Sequence, residues 1–178
     1  MSEQQLVRRL KTVLRRRQES RTPSPPTILT IHPIGQVEAV LDTDLLDIVI
    51  DDAWAEALEG LEAFSHLWVV WWLSKRTEAP TRLRIHPERR AEMPLMGLFA
   101  TRSPHRPNPI ALTAVRLVER QGTRLRVEGL DAHPGSPVLD LKPYLRRGDL
   151  IEEANVPDWL AQLWTLHIQE RQAKTPRS

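Results

Sequence analysis

The sequence predicts a mainly β protein, an all-β barrel or sandwich with a helix at each end. Short β-branched or alternating runs, punctuated by Gly and Pro, recur from Thr27 to Leu145, whereas sustained helical spacing is confined to the two ends. No Gly-x-Gly-x-x-Gly follows a strand pattern, which argues against a doubly wound cofactor domain.

The N-terminal stretch "SEQQLVRRLKTVLRRRQES" places Leu6, Leu10, Val13 and Leu14 on one helical face, with arginines around the others. The stripe can pack on the body or on a second copy, and the arginines can be solvated or can meet nucleic acid. "RTPSPPT" then stiffens and ends the helix, because proline fixes φ and removes a donor. "TILTIHPIGQVEAV" and "LDIVID" read as strands. "DDAWAEALEGLEAF" opens with a helical turn that Asp51 or Asp52 can cap, with Trp54, Ala57, Leu58 and Leu61 on one face. "HLWVVWWL" reads as a strand buried on both sides, since its apolar run is unbroken. "TRLRIHP" and "MGLFATR" follow as short runs, and "ALTAVRLVERQGTRLRVEGL" alternates around Gly122 as a hairpin does. "PVLDLKPYL" closes the strand series. The last element, "VPDWLAQLWTLHIQERQ", starts a helix at Pro157 and carries Trp159, Leu160, Leu163, Trp164 and Leu166 on its apolar side.

The 178 residues suit one domain with an appendage, and the six tryptophans supply large surfaces for a core. The chain has no cysteine, which excludes disulfides, thiolate metal sites and a cysteine nucleophile and fits a reducing compartment. Without a membrane-length apolar run or a signal-peptide core, the expectation is a cytoplasmic protein. Net charge is +2, but residues 1–22 hold seven basic and two acidic residues, so the basicity is an N-terminal feature. A basic arm on a mildly acidic body suits a polyanion, nucleic acid first. The histidines lack ligand spacing, and no nucleophile elbow or zinc-protease motif is present, so no metal is expected.

Two loops concentrate functional atoms. In "ATRSPHRPNP", prolines lower the backbone entropy around Arg102, Arg106 and Asn108, as a preorganised recognition loop requires. In "GLDAHPGSPVLDLKPY", Asp131 and Asp140 flank a Pro-Gly turn ahead of Lys142 and Tyr144. Turn chemistry alone can account for Asp131, and Asp140 can simply partner Lys142.

Three segments, "GLEAFSHLWVVWW" at 60–72, "GLFATRSPHRPNPIALT" at 97–113 and "GLDAHPGSPVLDLKPYL" at 129–145, resemble in order and spacing the signatures of the TrmO-like (TsaA-like) S-adenosylmethionine-dependent methyltransferases. Members of that family methylate N6 of threonylcarbamoyladenosine at position 37 of tRNA. The resemblance implies a single β-barrel-like domain at 27–156, preceded by a basic helix and linker at 1–26 and followed by a C-terminal helix and tail at 157–178. It also implies a homodimer with the site near the subunit interface. By motif, Ser74, Lys75, Arg102, Leu112, Leu130, Asp131, Ala132 and His133 fall where the family contacts S-adenosylmethionine.

The sequence departs from the family's pattern in three places. Typical members carry His-Gln at the positions of Ser74 and Lys75. They also have a Pro-Arg-Gln-Pro loop after the first strand, absent here, and a longer C-terminal extension than the helix after Pro157.

Methyl transfer from a sulfonium needs alignment of sulfur, methyl and nitrogen, together with a base for the N6 proton. Asp131 is the first candidate base and Asp140 the second, with Asn108 beside them in the catalytic set. Arg8, Arg9, Arg15, Arg16 and Arg106 are the candidates for tRNA phosphates, although Arg106 can equally face the cofactor. The alternatives are a non-catalytic cofactor- or RNA-binding module of the same fold, or the same chemistry on a substrate other than tRNA.

Overall fold

The computed structural model describes residues 29–75 and 82–174. The expected N-terminal helix and linker at 1–26 lie outside these residues. Six strands form the body: β1 (Gly35–Ala39), β2 (Leu46–Ile50), β3 (His66–Trp72), β6 (Ile110–Gln121), β7 (Arg124–Glu128) and β8 (Pro137–Pro143). They close into an antiparallel barrel in the order β1-β2-β7-β6-β3-β8, with β8 pairing back to β1. A two-residue pairing, β4 (Arg84–Ile85) with β5 (Met96–Gly97), lies outside the ring. "TRLRIHP" and "MGLFATR" thus yield only these short strands, since His86–Pro87 and a 3-10 turn at Leu98–Ala100 interrupt them.

Period-two alternation fills the interior with Val37, Ile48, Ile50, Leu67, Val69, Trp71, Val115, Leu125, Val127 and Val138. The hairpin around Gly122 forms as its alternation predicts, with Gln121 opposite Arg124. At Gly35 a Cβ would meet the Val49 carbonyl oxygen at 2.1 Å, so only glycine lets β1 lie this close to β2.

Two expectations need correction. "HLWVVWWL" is not buried on both sides: Leu67, Val69 and Trp71 are buried, whereas Trp68, Val70 and Trp72 are half-buried and His66 is exposed. A closed antiparallel barrel has one interior, and the outer row gains only partial cover, such as Tyr144 against Trp68 at 5.5 Å between ring centres. The segment after β2 is not an α-helical turn but two 3-10 pieces, Asp52–Leu58 and Leu61–Ala63, separated at Gly60. Asp51 stands at the cap position but makes no side-chain cap; its backbone oxygen accepts from Trp54 N instead. Of the predicted face only Leu58 is buried.

The C-terminal helix spans Asp158–Lys174, and Pro157 O accepts its first hydrogen bond, from Leu160 N at 2.9 Å. Leu163 is buried, while Trp164 is half-exposed. Arg90 donates to Glu170 at 2.6 Å and His167 lies 2.8 Å from Glu88, joining this helix to the loop after β4. No helix among the described residues is long and apolar enough to cross a membrane.

On the outer face of β1, β2 and β7, Asp47 accepts from Arg126 through two bonds of 2.9 and 3.1 Å and from Arg124 at 3.0 Å. Arg124 also donates to Glu38 at 2.9 Å. The hydrogen bond from Arg126 outweighs the cost of burial and holds the Asp47 carboxyl below the ordinary carboxylate range.

Candidate active site

Strand direction decides where the motif segments go. Around an antiparallel ring, neighbouring strands point oppositely, so one rim collects the C-terminal ends of β1, β3 and β7 and the N-terminal ends of β2, β6 and β8. That rim therefore carries Ser74 and Lys75 after β3, the proline-rich loop before β6, and Leu130–Ser136 between β7 and β8. Leu73 N donates to Pro109 O at 2.8 Å, tying the exit of β3 to the entry of β6. The three segments, distant in sequence, share one mouth of the barrel. The β1–β2 connection also reaches this rim, and it is a short turn over Val40–Leu45 with Asp42 at φ 59°.

The connection from β7 to β8 is shaped by Pro134 and Gly135. Ser136 N donates to His133 O at 3.0 Å, and Gly135 takes φ 83°, as the third position of a type II turn requires. Gly135 N donates to Val37 O at 2.7 Å, which anchors the turn on β1. Just ahead of it, Leu130 and Ala132 turn their side chains into the core, so a ligand at the mouth would meet their backbone. Asp131, between them, is exposed at the mouth. Its Oδ1 accepts from Thr113 Oγ1 at 2.6 Å, and Thr113 Oγ1 accepts from the Trp71 indole N–H at 3.1 Å.

The two candidate bases are thereby separated. Thr113 shares the inward face of β6 with Ala111 and Val115, and Asp131 joins it at the inner side of the rim. Asp140 faces outward, in one cross-strand row with Val70 and Leu112. Its Oδ1 accepts from Leu141 N and its Oδ2 pairs with Lys142 Nζ at 2.6 Å. Leu112 is likewise on the outer wall and exposed, so residues 112 and 131 do not share a face.

The proline-rich loop is held by its own side chains. Arg106 donates to Thr101 O at 3.0 Å, and its guanidinium lies 5.5 Å from the centre of the Phe99 ring. Thr101 Oγ1 donates to Leu98 O and accepts from Ser103 N, and Ser103 Oγ accepts from His105 N. Arg106 is thus turned onto the loop. Arg102, Asn108, Lys75 and His133 present side chains without a hydrogen bond or ion pair among the described residues, and all four are exposed. Asn108 does contribute its backbone oxygen, which accepts from Ile110 N. Arg8, Arg9, Arg15 and Arg16 lie outside the described residues.

Thr113 and Trp71 are the site residues that motif reading passes over. The signal was present: β6 alternation places Thr113 inward between Ala111 and Val115, and an inward hydroxyl needs a partner.

Among the described residues, the mouth offers a carboxylate with one oxygen held and a guanidinium without a partner, beside the backbone of Leu130 and Ala132. These fit the donor set of S-adenosylmethionine, whose carboxylate suits Arg102 and whose sulfonium suits a nearby Asp131.

Residues 34–150 match the family described as the tRNA-methyltransferase O N-terminal domain. The chain is 40% identical over 105 residues to the tRNA (adenine(37)-N6)-methyltransferase of Escherichia coli, covering 57% of this chain and 45% of that protein. It is 34% identical over 137 residues to an S-adenosyl-L-methionine-binding protein of Archaeoglobus fulgidus, covering 70% of this chain and 96% of that protein. The crystal structure of TrmO from Pseudomonas aeruginosa superposes with a TM-score of 0.60 at 27% identity, covering 75% of this chain and 62% of that one. The chain spans under half the length of several curated relatives that it matches.

Proposed function

The chain belongs to the family of the tRNA-methyltransferase O N-terminal domain, and on that premise we propose that it is an S-adenosylmethionine-dependent methyltransferase of N6 of adenosine 37 in tRNA, acting on the threonylcarbamoyl form. The observation that carries this reading is the convergence of the three motif segments on one rim, where Asp131 is held from the barrel interior.

Arg102 holds the cofactor's carboxylate, and the backbone at Leu130, Ala132 and His133 frames it. Ser74 and Lys75 complete the contact set from the rim, whereas Leu112, exposed on the outer wall, stands outside it. Bound S-adenosylmethionine supplies an electrophilic methyl on a sulfonium, which departs as a neutral thioether. In threonylcarbamoyladenosine the N6 lone pair is delocalised into the ureido group, so loss of its proton must accompany attack. Asp131 accepts that proton through Oδ2, because Oδ1 is already engaged by Thr113. Asn108 orients the base, and the prolines around it limit how far it strays.

Arg8, Arg9, Arg15 and Arg16 of the 1–26 segment contact tRNA phosphates. The functional unit is a homodimer; the apolar outer row of Val70, Trp72, Ile110 and Leu112 supports this, since it lies beside the same rim. The barrel domain at 27–156 and the helix at 157–178 act within that unit.

The test is nucleoside mass spectrometry of total tRNA from cells with and without the gene, paired with methyl transfer by the purified protein to tRNA bearing or lacking threonylcarbamoyl. Loss of one N6-methylated nucleoside on deletion, restored by the protein, is expected. Unchanged tRNA, together with binding of cofactor but no transfer to RNA, would overturn the assignment in favour of a binding module.

A further inference from the structure

The chain of bonds from Trp71 to Asp131 has a fixed direction. An indole N–H only donates, so at 3.1 Å Thr113 Oγ1 is its acceptor. The hydroxyl has one proton, and its other close partner is Asp131 Oδ1 at 2.6 Å, which accepts it. Trp71 sits in the barrel interior, only 4% exposed, and pairs in register with Ala111 of β6 and Val138 of β8. A buried indole N–H left without an acceptor is costly, which explains a threonine at a position where the alternation of β6 otherwise calls for an apolar residue. Asp131 Oδ2 has no partner among the described residues. The packed core therefore fixes the rotation of Thr113, and Thr113 fixes which carboxylate oxygen is occupied.

We propose that Thr113 and Trp71 are positioning residues for methyl transfer: they hold Asp131 Oδ1 from inside the barrel so that Oδ2 alone is presented to the N6 proton. This rests on Asp131 being the base. Neither residue touches substrate, so their effect appears in turnover rather than in binding. Trp71 acts through Thr113, and its loss is the milder one because the hydroxyl keeps its bond to Asp131 while gaining freedom to rotate.

The experiment compares Thr113→Val, Thr113→Ser, Trp71→Phe, Asp131→Asn and the Thr113→Val/Asp131→Asn double variant. It reads single-turnover rate, KM for tRNA, cofactor affinity and melting temperature. Thr113→Val is expected to lower the rate roughly tenfold or more, with KM and cofactor affinity within about twofold of the parent. Thr113→Ser recovers most of the rate, and Trp71→Phe loses about threefold. In the Asp131→Asn background, Thr113→Val costs nothing further. If Asp131→Asn keeps full activity, the assignment of the base fails. If Asp131→Asn is impaired and Thr113→Val is not, or its loss adds fully in the double variant, only the positioning role fails. A readout independent of turnover is the Trp71 indole N–H resonance, expected to shift in Thr113→Val and to stay in place in Thr113→Ser. No shift in Thr113→Val overturns the bond network itself.

Discussion

On the flank of the barrel formed by β1, β2 and β7, every charge has an answering charge: Asp47 takes both Arg124 and Arg126, and Arg124 also reaches Glu38. At the mouth, Arg102 and Lys75 have no partner among the described residues, and Asp131 is held by a hydroxyl rather than by a cation. Both groups sit on strands or loops of the same rigid ring. The flank spends its electrostatic complementarity on folding, whereas the mouth keeps charged groups uncompensated but oriented. A charged ligand gains most from the second arrangement, because no internal ion pair has to be broken to receive it.

The largest expected effect separates the two candidate aspartates, one at the mouth and one on the outer wall. Asp131→Asn should reduce single-turnover methyl transfer roughly 10²- to 10⁴-fold, the range for removing a general base. Asp140→Asn, which frees Lys142 on the outer wall, should change it less than about threefold, as befits an exposed pair. A result the other way round would place the chemistry on the outer wall and break the comparison. Next in size is Arg102→Ala, expected to weaken cofactor binding roughly 10- to 100-fold by calorimetry with little change in melting temperature.

On the flank the sign reverses: stability moves and turnover does not. Asp47→Asn should cost about 1–2 kcal/mol of unfolding free energy at neutral pH, a figure reduced because the facing arginines remain partly solvated. Since Arg126 holds the folded carboxyl below its unfolded value near ~3.9, this contribution is complete above that pH and fades as pH falls through the lower folded value. Denaturant unfolding at pH 7 and near pH 3 should therefore show a gap between parent and variant that narrows in acid. A gap that persists or widens would mean that Asp47 contributes through packing instead.

The contrast also explains what was legible in the sequence. A β-branched run gave β2 and alternation gave the β6–β7 hairpin, because both are local properties of one stretch of chain. The chemistry-bearing loops were visible through their prolines and their match to a family. What stayed hidden depended on the partner strand. The outer row of Trp68, Val70 and Trp72 reads as buried until ring closure shows that the barrel has a single interior. Asp131 and Asp140 both stay candidate bases across a Pro-Gly turn, in that order, and only the register of β8 on β3 sends Asp140 to the outer wall. The segment from Asp52 to Ala63 has helical spacing, but Gly60 in the left-handed region divides it before a full α-helix forms.

The smallest effect concerns Arg106, for which sequence left two directions open. Its bonds to Thr101 O and its place over Phe99 commit the guanidinium to the loop that carries Arg102. An arginine used this way behaves like a flank residue located at the mouth. Arg106→Ala should loosen the loop and weaken cofactor binding a few-fold, about 3- to 5-fold, through Arg102. It should leave the slope of log affinity for tRNA against log salt within about 0.3 of the parent value, whereas an arginine on a tRNA phosphate would lower that slope by roughly 0.7 to 0.9. A slope change of the larger size would show that the arginine leaves Phe99 to meet RNA, and the division between paired and unpaired charge would then have to be drawn through the loop itself.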